Sequence, residues 1–306
     1  MKRALVAMTS IAVCFLFAGF ASAGASRVLV VDDDGQDCPA ADFNTIQEAV
    51  AAAPVGGKIL VCSGTYQREV AITKNGLTIT AKDQPGTVIL DAGGDHGGFE
   101  LDAVSGVTIA GFVVRHAHEA DILLMAANDN VIRDNSTTMA GHDGIELVDS
   151  SRNLIAHNVS HDNLSIRACG IQVAGALSRD NVVRENLLVN NEWGVQVSAA
   201  IGTVVFHNEA RGNRGNGIRN VNTASNTIID DNRAFANGLT PGPLTGTTNA
   251  GIRIGSGTGV VVARNHAFDN LIVDLRSDVA AATFTDNHCN TSSPPGLCAH
   301  DEGEGH

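Results

Sequence analysis

The sequence predicts an all-β solenoid wound as a single domain, and three observations carry that prediction. Aromatic residues make up only 4% of the 306-residue chain beside 43% hydrophobic ones, with 33 glycines, one Trp and one Tyr. A core packed from all directions uses more rings, whereas thin stacked layers are filled by Ala, Val, Ile and Leu. From about residue 105, short apolar runs recur every 22–34 residues, an interval typical of repeat architectures. Each run holds three to five residues of alternating character, which is a strand pattern and not a helical one.

Two registers organise the repeats. In the stronger one an Asn closes each run: Asn135, Asn158, Asn186, Asn208, Asn232, Asn265 and Asn287. The second is a Gly followed by apolar-x-apolar, at Gly144-Ile145-Glu146-Leu147, Gly170-Ile171-Gln172-Val173, Gly194-Val195-Gln196-Val197 and Gly251-Ile252-Arg253-Ile254, with Gly217-Ile218-Arg219 alongside. Two or three short strands with a turn Asn at one fixed place describe one coil of a parallel β-helix. Stacked coils set equivalent residues roughly 4.8 Å apart. An inward Asn can then bond to its copies and satisfy the buried groups of the turn. The residue before each ladder Asn is ionisable (Asp134, His157, Glu185, His207, Asp231, Arg264, Asp286). That row is expected to face solvent, with acids mostly alternating with His or Arg so that adjacent rungs attract.

The ends differ from the repeats. Residues 1–23 read as a signal peptide: Lys2 and Arg3, an apolar run from Ala4 to Phe20, then Ala21-Ser22-Ala23. Its removal takes the net charge from −13 to 18 − 33 = −15, and no later stretch is apolar enough to span a bilayer. The expected location is secreted or periplasmic, where disulfides persist. Cys38 with Cys62 and Cys289 with Cys298 would staple the two ends, leaving Cys169 to pack as a small hydrophobe. The acidic balance argues against nucleic acid or an anionic membrane as the main partner.

Residues 24–57 are expected to form an N-terminal strand, Val28-Leu29-Val30-Val31, and a short capping helix. Asn44 and Gln47 are spaced as a capping box. Ile46, Ala49, Val50 and Ala53 share one face, which suits a helix covering the open end of a coil stack. The solenoid spans 58–290, beginning with Ile59-Leu60-Val61, Val70-Ala71-Ile72 and Leu77-Thr78-Ile79, and 291–306 form a C-terminal tail.

The stretch Thr45-Ile46-Gln47-Glu48-Ala49-Val50, then Gly57-Lys58-Ile59-Leu60-Val61, Gly64-Thr65-Tyr66 and Leu77-Thr78-Ile79-Thr80, resembles the start of right-handed parallel β-helix proteins. That superfamily includes pectin-lyase-like enzymes, mannuronan-epimerase-like proteins and NosD-type periplasmic accessory proteins. With the Asn-ended repeats, the resemblance covers nearly the whole chain after residue 23. It implies a right-handed coil with substrates along the outer face of the first sheet, which the Gly-led strands match. The shared residues are structural, so the resemblance does not settle activity. The Asp-Pro-His pattern of mannuronan epimerases is absent, as are the paired Asp and Gly-His-Gly of polygalacturonases.

The outward middle residues of the Gly-led strands form an expected row: Glu100, Leu123, Glu146, Gln172, Gln196, Arg219, Arg253 and Asp274. Such a row can bind sugar hydroxyls and carboxylates or be a plain solvated face. The loops entering these strands carry His118 with Glu119, His142 with Asp143, Arg167, and Glu192 with Trp193. They fall on consecutive coils, within about three strand spacings. Trp193 is a natural stacking platform for a sugar ring. In a catalytic version His142 is the base, His118 the acid and Arg167 the neutraliser of a uronate carboxylate. Glu146 would orient His142 or a sugar. Asp143, Gln172, Gln196, Arg219 and Arg253 would contact substrate.

No cofactor is required by any motif. Calcium is the one ion the sequence leaves room for, at Asp32-Asp33-Asp34-Gly35, although this run lacks the spaced ligands of a calcium loop. The insertion from Gly238 to Thr248 breaks the repeat on the loop side and could wall the groove, and His300, Asp301, Glu302, Glu304 and His306 form an acidic tail. The leading expectation is an exported β-helix protein that binds a polysaccharide and, if an enzyme, acts as a lyase or epimerase. The alternatives are a NosD-like accessory or interaction scaffold for a protein partner, and an exported metal binder using the His-rich rows.

Overall fold

The computed structural model describes residues 27–239 and 248–299. The signal-peptide segment, the middle of the 238–248 insertion and the tail residues 300–306 lie outside the described residues. The rest forms three parallel sheets of 10, 11 and 10 strands. One coil visits each sheet in turn: Asp143–Val148 in the first, Leu154–Ala156 in the second and Val159–His161 in the third. Each strand pairs in parallel with its counterpart one coil earlier and one coil later. This is a right-handed parallel β-solenoid. Leu29–Val31 is the end strand of the second sheet, and Ser292–Ser293 is the end strand of the first.

The bore explains the composition. Phe99, Ile122, Ile145, Ile171, Val195, Ile218 and Ile252 stack in one file on the first sheet, all fully buried. Ile79, Ile109, Ile132, Ile155, Val183 and Val205 form a matching file on the second. Each branched side chain meets its own copy one strand spacing away, which suits stiff β-branched residues on a pleated surface.

The Asn register forms a continuous buried ladder. The Asn135 backbone N–H and side-chain Nδ2 both donate to Asn158 Oδ1, at 3.0 and 3.2 Å. The same pair of bonds repeats through Asn186, Asn208, Asn232 and Asn265 to Asn287. Each Nδ2 also reaches a carbonyl of the previous coil, as from Asn158 to Ile132 O at 3.0 Å. Two more ladders occupy the other corners. One runs Asn130–Asn153–Asn181, the other Asn163–Asn191–Asn213–Asn237–Asn270.

The third ladder accounts for the Gly register. A Cβ on Gly217 would lie 2.7 Å from Asn237 Nδ2, and one on Gly251 only 2.4 Å from Asn270 Nδ2. The residues preceding the first ladder share a backbone constraint: all seven, from Asp134 to Asp286, have φ between 49° and 57°. Asn, Asp and His tolerate this left-handed region better than most residues. Cross-rung pairs form along the row, His157 with Glu185 at 2.9 Å and His207 with Asp231 at 2.8 Å.

The helix spans Ile46–Ala52 and buries Ile46, Ala49 and Val50 in the same apolar core as the bore. Its cap differs from the expected Asn44 and Gln47. Thr45 is the N-cap, with Oγ1 accepting from Glu48 N at 3.2 Å, because the helix starts one residue later. Gln47 instead accepts the Ala71 N–H at 2.8 Å, tying the helix to the strand Val70–Ile72. Lys74 Nζ donates to Val50, Ala51 and Ala53 carbonyls at 3.1, 2.6 and 2.9 Å, satisfying the helix C-terminus from a neighbouring turn. Cys38 is bonded to Cys62 and Cys289 to Cys298, while Cys169 is free and buried.

Replacing Asn232 by Leu removes the acceptor of Asn208 and the donor to Val205 O. The buried groups left behind should cost on the order of 3 kcal/mol, read as a lower urea midpoint. The exposed neighbour His207→Ala should change stability by less than about 1 kcal/mol.

Candidate functional site

The outer face of the first sheet carries the predicted row nearly as expected. Glu100, Leu123, Glu146, Gln172, Gln196, Arg219 and Arg253 are register partners across seven coils. The eighth place belongs to Arg276 and not Asp274. Asp274 is buried and closes the third Asn ladder, accepting from Asn270 Nδ2 at 2.9 Å and from Thr291. At the last described rung a carboxylate replaces the next Asn as acceptor. Leu123 is also buried, so the row is interrupted by one apolar rung.

A groove of about 520 Å³ follows this row, lined by His142, Arg167, Gln172, Trp193, Gln196, Arg219 and Arg253 among others. These seven were all expected at the site. Glu146 adjoins them through an amide relay: Gln172 Nε2 donates to Glu146 Oε1 at 2.9 Å, and Gln196 Nε2 donates in turn to Gln172 Oε1. His118 is outside the groove lining. It is exposed on the loop below and its ring makes no side-chain hydrogen bond among the described residues, so the structure gives it no partner for an acid role.

Trp193 lies in the groove wall, yet its ring does not stand open. It is 6% exposed, and the Arg219 guanidinium carbon sits 3.7 Å from the ring centroid. The indole therefore seats a cation by its quadrupole, which replaces the expected sugar platform. Burial lowers Arg219 to about 10, still charged at neutral pH. Neither Arg219 nor Arg167 has a carboxylate within ion-pair distance among the described residues, whereas Arg253 is paired with Asp278 at 2.7 Å. Three buried polar atoms in this wall have no hydrogen-bond partner among the described residues: Trp193 Nε1, Gln196 Oε1 and Arg219 Nε. Unpaired buried groups are costly and rare in folded proteins, so their convergence on one groove marks it.

His142 is held by Asp143. Its Nδ1 lies 2.9 Å from Asp143 Oδ2, and the other Asp143 oxygen accepts the Cys169 N–H. Asp143 is fully buried with both oxygens engaged, so it supports His142 and does not contact a ligand in the groove. The bond to Asp143 raises His142 to about 9, and burial raises Glu146 to about 7. At neutral pH the imidazole thus keeps its proton, the reverse of the base role suggested by loop position alone. Glu119, His142 and Glu146 place their donor atoms within 4.8 Å of one another and could together hold a cation. Of the expected calcium run, Asp32 and Asp33 already accept from the backbone of Cys38 and Thr65.

A second depression of about 550 Å³ lies over His207, Glu209, Asp231, Arg233, His266 and Phe268. Its charges neutralise one another, His207 with Asp231 at 2.8 Å and Arg233 with Glu209 at 3.8 Å. It therefore lacks the unpaired cations of the first-sheet groove. Sequence reasoning missed the Arg219–Trp193 stack, because it joins two different rows of the sheet on neighbouring coils.

Residues 92–234 match the protein family described as a right handed beta helix region. The match spans a little under half of the chain and agrees with the right-handed parallel coil described above. Among solved structures it is similar to an alginate lyase from Paenibacillus sp. str. FPU-7, at 15% identity and TM-score 0.64, covering 81% of this chain and 91% of that one. The A-module of a mannuronan C-5 epimerase from Azotobacter vinelandii aligns at 18% identity and TM-score 0.56, over 80% of this chain and 81% of the module. A surface adhesin of Streptococcus pneumoniae aligns at 13% identity and TM-score 0.61, over 85% and 76%. At these identities the likeness is one of fold. No curated protein matches the chain in sequence.

His142 and Glu146 both bind protons more tightly folded than unfolded, from starting values of 6.5 and 4.5. Their contribution to stability is therefore full at low pH. It declines as pH rises from about 4.5 through 7 for Glu146, and from about 6.5 through 9 for His142. In protein treated with a chelator, the His142 ring protons should titrate near 9 by NMR. Asp143→Asn should bring that midpoint back toward the ordinary histidine range.

Proposed function

We propose that the first-sheet groove binds a carboxylate-bearing polysaccharide. The observation that carries this reading is the placement of Arg167 and Arg219 in one groove, without carboxylate partners among the described residues, on a chain of net charge −13. A chain so acidic has carboxylates to spare, and guanidinium groups left unpaired beside orphaned polar atoms suit an anionic, hydroxyl-rich ligand. Gln172 and Gln196 add amide groups at successive strand steps, matched to a linear repeating ligand. The neighbours named as an alginate lyase and a mannuronan epimerase support the same class of ligand.

The finer parts of the reading follow. The chain is exported, as the 1–23 segment and the two disulfides suggest, and the helix Ile46–Ala52 caps the N-terminal end of the coil stack. Conversion of a uronan to an unsaturated or epimerised product would add lyase or epimerase chemistry to binding. Binding without product makes the groove a recognition surface, a use with which the likeness to an adhesin agrees.

Affinity electrophoresis on uronans and neutral glycans tests the proposal. Arg219→Gln and Arg167→Ala should each weaken uronan binding roughly tenfold to a hundredfold, since a charge-assisted bond is worth about 1.5–3 kcal/mol. Equal retention by neutral glycans, or uronan binding untouched by both substitutions, would refute it.

A further inference from the structure

We propose that Glu119, His142 and Glu146 form a binding site for a divalent cation of the zinc type at the acidic end of the first-sheet row. This inference stands independently of the glycan reading. The three donors come from two adjacent coils: Glu119 and His142 are successive rungs, joined by a backbone bond from His142 N to Glu119 O at 2.9 Å. Glu146 lies four residues beyond His142, within the strand Asp143–Val148 that His142 immediately precedes. Their ligand atoms all fall within 4.8 Å of one another. A tetrahedral centre with bonds of about 2.1 Å holds its donors roughly 3.4 Å apart, so the site needs side-chain movements on the order of 1 Å to close.

A second observation lies outside the three donors. His142 Nδ1 is committed to Asp143 Oδ2 at 2.9 Å, which leaves Nε2 as the ligating nitrogen. Asp143 is fully buried and pinned by the Cys169 N–H, so the ring orientation is fixed from behind. A carboxylate behind a ligating histidine is the arrangement that orients imidazoles toward metals. Glu146 uses Oε1 for the Gln172 amide and keeps its other oxygen free. Neither Glu119 nor Glu146 is paired with a Lys or Arg among the described residues. The donor set selects the ion. One imidazole and two carboxylates suit zinc and its neighbours, whereas calcium needs six to eight oxygens.

The solenoid supplies its own comparison. Two coils earlier, His96 and Glu100 stand 142 − 96 = 146 − 100 = 46 residues before His142 and Glu146, and with Glu69 they also bring their donor atoms within 4.8 Å of one another. There the counterpart of Asp143, two coils removed through Ala120, is Gly97. His96 is more exposed, and its Nδ1 faces Glu100 itself at 3.3 Å. Without a carboxylate behind the ring, this earlier copy is not held in place for a metal.

Zinc titration of the chelator-stripped protein, by calorimetry and by competition with a chromophoric chelator, tests the assignment. His142→Gln and Glu119→Gln should each weaken zinc binding by tenfold or more. Asp143→Asn, acting as a positioning change, should weaken it by about 10–100-fold. The double variant Glu69→Gln/Glu100→Gln should bind as the parent does, and a hundredfold excess of calcium should not displace the zinc. Circular dichroism of Glu119→Gln, a substitution at a partly exposed loop residue, separates lost binding from lost fold. The proposal is overturned if zinc does not bind, if His142→Gln and Glu119→Gln leave the affinity unchanged, or if calcium competes at equal concentration.

Discussion

The buried asparagine bonds are the constraint on which the rest of this structure depends. Each ladder amide satisfies a backbone N–H, a carbonyl of the preceding coil and the amide of the next Asn, so three corners turn on bonds within the protein. A corner held this way fixes where each strand begins. Because all three corners are held, outward side chains of successive coils fall into straight rows. The groove is a by-product of that alignment, since an Arg, a Gln or a Glu at a given strand position meets only its register neighbours.

The rows also sort charge. At one end of the first sheet Glu69, Glu100, Glu119 and Glu146 gather around two histidines, and at the other Arg219, Arg253 and Arg276 follow in sequence. Between them lies a short amide stretch, Gln172 and Gln196. The extended ligand proposed for this face would meet opposite potentials at its two ends, which would set a direction as well as an affinity. The Trp193 seat beneath Arg219 sharpens this by holding one cation rigidly where a free arginine would sample many positions.

Much of this was legible in the sequence for a physical reason: the first Asn ladder and the bore recur at nearly constant spacing from their own strands. The third ladder was hidden because loops of varying length separate Asn163, Asn191 and Asn213 from the strands that follow, whereas the second was overlooked although Asn130, Asn153 and Asn181 each stand directly before a strand, because it runs for only three rungs. Asp274 was misplaced for a related cause. No Gly marks the start of its strand, and Val273-Asp274-Leu275 imitates the apolar-x-apolar pattern two residues early. The Thr45 cap was missed because Asn44 offers an equally good side chain one residue ahead. The roles of Trp193 and Asp143 depend on burial, which a single loop position does not reveal. Lys74 closing the helix Ile46–Ala52 joins distant turns and leaves no local trace.

The ladders point one way. From rung to rung every Asn donates to the Asn of the following coil and accepts from the Asn of the preceding one, and no rung needs a residue that its neighbours lack. A coil copied in place would bring its own donors and acceptors and find matching ones above and below. The length of this molecule is thus open to change by duplication, with the ends alone demanding new solutions. Each added coil would lengthen the outer row by a single side chain, so the reach of the face toward a long ligand can be adjusted in unit steps while the corners stay as they are.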